Sequence, residues 1–311
     1  MKGLAELIVR GRWQAVGVTA VAGVLTYLLV PFTTVLSYLA AASIALVTLH
    51  IGVVSGLQVL LLASAVTLLF YQLTGLHAVV VLSLLLVLLL WLPCWLLALV
   101  LRQTRSLGHA LLAGVLFGAC LLLAVYGWLG DPAPWWVERL HEFEAALGEA
   151  GIRVQSLGEG VVIEQIAALM TGVVIASLIT GVIGSLLLAR WWQSLLVRPG
   201  AFREEFWALR LGNLSGLLTL GVMVLARVLQ DMPGEVAAQL AMVMLVPYLL
   251  VGLAVLHSLL GPVRWGTGAL VVVYVALAFL PQMSLLLAAG GLLDTWVDFR
   301  RRLRRGGPDR H

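Results

Sequence analysis

Seven polar side chains fall inside long apolar runs: Gln58, Gln72, Glu164, Gln165, Arg227, Gln239 and His257. A polar group in hydrocarbon is strongly disfavoured unless it is partnered, so each marks a structural or binding site. Arg227 is charged and lies about one turn from the end of its run; Glu164 lies about one turn into the preceding run. At matching depth they can form one ion pair. Two readings stay open. Arg227 snorkels outward and pairs structurally, or Arg227, Glu164, Gln165 and Gln72 line a polar cavity for a small-molecule ligand.

Several chemistries lack their residues. A P-loop needs a lysine after its glycines, and the single lysine is Lys2. There is no HExxH, and the six histidines are scattered rather than set at zinc spacing. Cys94 and Cys120 sit inside apolar runs and read as packing residues. Ser55 and Ser185 beside glycines are weak nucleophile candidates, because such serines usually serve helix packing. The expectation is therefore no catalytic residue, no metal site, no cofactor and no nucleic-acid partner.

A second concentration of chemistry is "RWWQSLLVRPGAFREEFWALRLGN", residues 190–213. Pro199-Gly200 is a turn. After it Phe202, Phe206 and Leu209 repeat at i, i+4 and i+7, while Arg203, Glu204 and Arg210 point elsewhere. Glu204 and Glu205 occupy the first turn, where the helix dipole favours acids. This predicts an amphipathic helix in the headgroup plane. Arg190, Trp191 and Trp192 read as a phosphate-seeking cation and an aromatic anchor at the end of the preceding run. The segment either anchors helices or docks a cytoplasmic or membrane protein partner. Near the C-terminus, "GLLDTWVDFRRR" sets Asp294 and Asp298 at i, i+4, with Arg301 and Arg302 at offsets that reach Asp298. Asp294 needs a partner, and Arg190 or Arg210 can supply it.

The elements that position these residues follow from composition. Hydrophobic residues make up 62% of the 311 and charged residues 11%, against about 45–50% and about 25% in soluble domains. Apolar runs occupy about 14–30, 34–50, 52–72, 78–101, 109–129, 161–190, 211–230, 236–258, 266–281 and 283–299. Turn chemistry separates them at "VPFTT", "LTGLH", "DMPGE" and "LGPVRWGTG". The expectation is an all-α polytopic transmembrane bundle of about ten spans, with short interfacial amphipathic helices. Eight or nine spans is the alternative, for example if 266–299 is one helix kinked at Pro281. With ten, both termini are cytoplasmic, and of the 19 basic residues only Arg139, Arg153 and Arg227 fall elsewhere, as the positive-inside rule asks. Trp13, Trp128, Trp191, Trp192, Trp265 and Trp296 fall near predicted span ends. The organisation expected is a five-span half (1–130), an acidic outer loop with a short amphipathic helix (131–160), a second five-span half (161–300) and a basic tail (301–311). Gly52/Gly56, Gly114/Gly118, Gly212/Gly216 and Ser177/Gly181/Ser185 put small residues on single helix faces, favouring close packing within the chain.

"ARWWQSLLVRPGAFREEFWALRLG" and "GLLDTWVDFRRR" together resemble the YybS-like family of uncharacterised bacterial inner-membrane proteins. The resemblance covers most of the chain. It implies a multi-pass protein of the bacterial inner membrane, distantly similar in its first half to the substrate-binding membrane subunits of energy-coupling-factor transporters. The leading functional expectation is a membrane-embedded binding or transport subunit for a small solute. The rivals are a non-transporting scaffold of envelope biogenesis and an inverted-repeat secondary transporter.

Overall fold

The structure is a computed structural model that describes residues 1–28, 33–149 and 161–305. The turn around Pro31, together with Arg153, Glu159 and Arg310, lies outside them. The described residues are helical throughout, with no strand. A short α1 (Lys2–Arg10) leads into α2 (Arg12–Leu28), α3 (Thr33–His50) and α4 (Val53–Leu73). Then come α5 (His77–Leu86), a π-turn (Val87–Trp91), α6 (Leu92–Thr104) and α7 (Leu107–Leu129). After α8 (Ala133–Glu149), α9 (Val161–Val197) and α10 (Ala201–Trp207) follow α11 (Asn213–Val228), α12 (Asp231–Leu260), α13 (Gly266–Phe279), α14 (Pro281–Val297) and α15 (Phe299–Arg305).

Among the described residues, five helices are long and apolar enough to cross a membrane: Val53–Leu73, His77–Thr104, Leu107–Leu129, Ile163–Val197 and Asp231–Leu260. Val35–His50, Asn213–Val228 and Gly266–Phe279 are shorter apolar helices. The π-turn interrupts the second long helix just before Pro93, whose missing N–H cannot join the helical ladder. It sets Trp91, fully buried, against Gly23 of α2, where a β-carbon would meet the indole ring. With 37 residues, α9 is about 55 Å long at 1.5 Å per residue. That exceeds a hydrocarbon core of about 30 Å.

Helix α3 lies at the centre of the bundle. Every residue from Ala40 to Val47 is inaccessible on all faces, and α1, α2, α4, α6 and α9 all pack on it. The small residues Ala40, Ala41, Ala42 and Ser43 let neighbours approach from every side. The expected small-residue faces pack within the chain in part: Gly56 against Thr48, Gly118 against Ile179 and Val243, Gly181 against Tyr38, and Gly216 against Trp296, whereas Gly52 and Gly212 face open space and Ser177 is exposed. The closest approach of one helix backbone to another at these glycines is one the spacing did not single out. Gly252 of α12 lies on the backbone of Leu287, and Gly291 of α14 lies on that of Tyr248.

Contacts sort the helix ends into two groups. Gly266 adjoins the Leu260 carbonyl, Gly261 adjoins Trp207, and Arg300 donates to the Trp207 carbonyl. The start of α13 and the end of α14 therefore lie at the same end of α12, so these two helices run in opposite directions. The reversal occurs at Leu280, an extended residue, and Pro281 opens α14 at a position that needs no N–H. The residue 190–213 segment, the ends of α3 and α6, and α15 share this end, hereafter the basic end. The opposite end carries α8, where Trp136 Nε1 donates to Thr171 Oγ1 of α9 at 2.7 Å. Helix α8 is present as expected, but Phe143 and Ala146 on its apolar stripe are exposed.

Candidate functional site

At the basic end, α9 runs into the Pro199-Gly200 turn and α10 folds back on α12. Gly200 adopts φ +91, which suits a residue without a β-carbon. Phe202 and Phe206 stack at 5.9 Å, and Phe206 meets His257 edge-on at 5.9 Å. Both phenylalanines are half-buried, whereas Arg203 and Glu204 are exposed. The amphipathic division read from the spacing is present. Arg203 lies over the Trp207 ring at 4.1 Å.

The ion pairs differ from those expected. Asp294 pairs with neither Arg190 nor Arg210. Its Oδ2 accepts from Arg300 Nη2 at 2.9 Å, with both side chains buried, and its Oδ1 accepts from the Phe299 N–H. Asp298 is the physical reason. It adopts a left-handed conformation (φ 50), ends α14, and turns the chain so that Arg300 folds back over the helix it has just left. Arg300 also donates to the carbonyls of Trp207 and Leu209, tying the end of α10 to the C-terminal segment. Asp298 takes a bidentate pair from Arg210, at 3.1 and 2.5 Å, and accepts the Arg301 backbone N–H rather than an Arg301 or Arg302 side chain. Arg190 binds Glu205 at 2.7 Å.

These pairs set the local charge states. Hydrogen bonding from Arg210 holds the Asp298 carboxyl below the usual carboxylate range, and Asp298 in turn raises Arg210. Burial lowers Arg300, opposed by the nearby Asp294 carboxylate.

Trp191 and Trp192 require a second correction. Trp192 is not an interfacial anchor: it is fully buried, and Trp191 packs partly buried against the same core. The cause is that α9 runs on to Val197 with α1 and α10 packed on it, so this turn lies inside the bundle rather than at a free helix end. Trp13, Trp128 and Trp265 are well exposed, as interfacial placement asks.

No hydrogen bond or ion pair joins the four residues expected to line one cavity, among the described residues. Gln72 bonds His77 Nδ1 at 3.3 Å. Glu164, Gln165 and Arg227 are exposed, and no partner for them exists among the described residues. Gln239 makes the polar knot inside the bundle instead. Its Nε2 donates to the Tyr126 hydroxyl at 2.7 Å and to the Ala168 carbonyl, joining α7, α9 and α12.

The notable concavity lies elsewhere. A groove of about 620 Å³ runs between α7, α11 and α12. Leu112, Leu116, Ala119, Leu214, Leu218, Val222, Leu240 and Met244 make its walls apolar, and Ser106, His109 and Arg210 lie at its basic end. From Ser106 to Ala119 along α7 it extends about 20 Å at 1.5 Å per residue. Arg210 also lines a polar cavity with Trp207, Asp298 and Arg300, and a smaller one with Asn213 and Asp294. One guanidinium, clamped by Asp298, therefore separates an apolar groove from a polar mouth. Only Arg210 among these groove residues was singled out from the sequence; the groove forms where α7 meets the consecutive helices α11 and α12, about a hundred residues further along the chain. No group of three or more possible metal ligands occurs among the described residues.

No family model, curated protein or solved structure matches this chain.

Proposed function

We propose that this chain is a membrane-embedded binding or transport subunit for a small amphiphilic solute, which it holds in the α7–α11–α12 groove. The observation that carries the reading is that groove: apolar walls about one acyl chain long, ending at a guanidinium kept in place by Asp298. Ligand sites are commonly concave, largely apolar and marked by a few placed polar groups. The groove replaces the outer cavity expected around Glu164 and Arg227.

The accompanying topology is a multi-pass protein of the bacterial inner membrane, with ten passes and both termini cytoplasmic. The opposed directions of α13 and α14 favour ten over nine. Helix α13, at 14 residues, is about 21 Å long, so its pass is shallow. The collection of arginines at one end favours placing that end in the cytoplasm. The resemblance to YybS-like proteins points the same way.

Native mass spectrometry of the gently extracted protein tests the binding function. A small amphiphile should co-purify with the wild type and be lost from Ala119→Trp, which fills the groove. Absence of any bound species from the wild type, or equal occupancy in Ala119→Trp, rejects the reading. Reporter fusions after residues 145 and 311 test the topology, with an external signal expected from the first alone.

A scaffold role is the second reading. The outward face of α10, with Arg203 laid over Trp207, favours it as a place for a protein partner.

A further inference from the structure

A cavity at the basic end, separate from the groove, brings three arginines together. It has a volume of about 390 Å³ and lies between the ends of α3 and α6 and the α9–α10 turn. Arg102, Arg105, Arg190, Gln193 and Glu205 line it. The one carboxylate already belongs to Arg190, so the positive charge of two arginines is left without a counter-charge in the lining.

Two of the arginines are held in place. Arg102 Nη1 donates to the carbonyls of Thr48 and Leu49, both at 2.8 Å, which closes the C-terminus of α3. Arg190 donates through Nε to Glu205 and through Nη1 to Gln193 Oε1, and Gln193 Nε2 in turn holds the Leu49 carbonyl at 2.9 Å. The Thr48 and Leu49 carbonyls, which would repel an anion here, are thus already occupied. Nε and Nη2 of Arg102, and Nη2 of Arg190, have no partner among the described residues. A fixed guanidinium with spare N–H groups suits tetrahedral oxyanions, because the fork matches two oxygens at once.

Arg105 is the third. It ends α6 in the left-handed region, at φ 53. That position is usually glycine, and a residue with a β-carbon is disfavoured there by about 1–2 kcal/mol. Arg105 is exposed and has no partner among the described residues. Neither packing nor an ion pair explains arginine at this site, whereas a cation at the cavity mouth does.

We propose that this cavity binds a phosphate group, gripped by Arg102 and Arg190 and closed over by Arg105. A phosphate ester in solution and the headgroup of an anionic phospholipid offer the same chemistry.

The test uses the full-length protein in a nonionic detergent, titrated calorimetrically with inorganic phosphate and with chloride at equal ionic strength. Saturable binding of phosphate but not chloride is expected. Arg105→Gly is the diagnostic variant, because it relieves the strained backbone and removes the cation together. It should fold at least as well as the wild type and bind phosphate about tenfold more weakly, the equivalent of about 1.4 kcal/mol. Arg102→Lys, which keeps the charge and loses the fork, should also weaken binding. The source is read by repeating the titration in vesicles. Competition by phosphatidylglycerol and not by phosphatidylcholine assigns the site to the lipid headgroup. Phosphate binding that is indifferent to both lipids assigns it to a soluble ester. Absence of binding beyond chloride, or unchanged affinity in Arg105→Gly, overturns the proposal.

Discussion

Arg300 reaches back across the left-handed turn at Asp298 to bind Asp294 at 2.9 Å, with both side chains out of solvent. Two residues six apart on the chain would not face each other on a continuous helix. The pair exists because the helix stops between them. It fastens α14, α15 and the carbonyls of Trp207 and Leu209 into one knot.

Breaking that knot from one side strands a buried charge. Arg300→Met should destabilise the protein by about 3–5 kcal/mol. Adding Asp294→Leu should recover part of the loss, though not all, since the two carbonyls lose their donor as well. Unfolding of the detergent-solubilised variants measures this. A loss under 1 kcal/mol for the single variant contradicts the buried-pair assignment.

The Arg210–Asp298 clamp carries a pH dependence of defined sign. Asp298 is held below its ordinary value by Arg210, so its stabilising contribution is fully present above the unfolded carboxylate pKa of about 4. It is lost as pH falls through the lower folded value. Hydrogen exchange of residues 208–212, corrected for intrinsic rates, should stay flat from neutral pH down to about 5 and rise only in stronger acid. Asp298→Asn should exchange fast at every pH. Loosening of the wild type already near pH 6 refutes the assignment.

Adjacent glycines on α14 should behave oppositely. A β-carbon on Gly290 meets open space, whereas one on Gly291 runs into the Tyr248 carbonyl. Gly290→Ala should leave thermal stability unchanged or slightly improved. Gly291→Ala must push α12 and α14 apart, with a loss of about 1–3 kcal/mol or more. Equal effects at both positions disprove the close crossing.

Accessibility should divide α10 as its burial does. A cysteine at position 203 should react quickly with a membrane-impermeant maleimide in inside-out vesicles, and one at 206 slowly, because Phe206 lies against His257. Matching rates rule out the seated helix.

Hydropathy and turn residues located the helices well, since each apolar run became a helix and the Pro199-Gly200 and Pro281 breaks fell where the chemistry put them. Helix order was legible from the runs. Azimuth was not. Glu164 and Arg227 were matched by depth, yet each faces outward on its own helix. Trp192 read as an anchor because it ends an apolar run, but α9 continues to Val197 and the bundle buries it. Asp294 found Arg300 rather than Arg210 because one residue, Asp298, took a conformation that side-chain spacing does not report. The groove pairs α7 with α11 and α12 from the other half of the chain, and no local pattern announces it.

Helix α9 spans both ends of the molecule without a break. It is bonded to α8 through Thr171 and to α10 through Arg190. A hydrogen-bonded helix scarcely changes length under load, so it transmits axial displacement as a push-rod does. Anything that draws on α8 must therefore move Glu205 by a comparable distance or break one of these two bonds, and events at one end of the bundle acquire a mechanical route to the other.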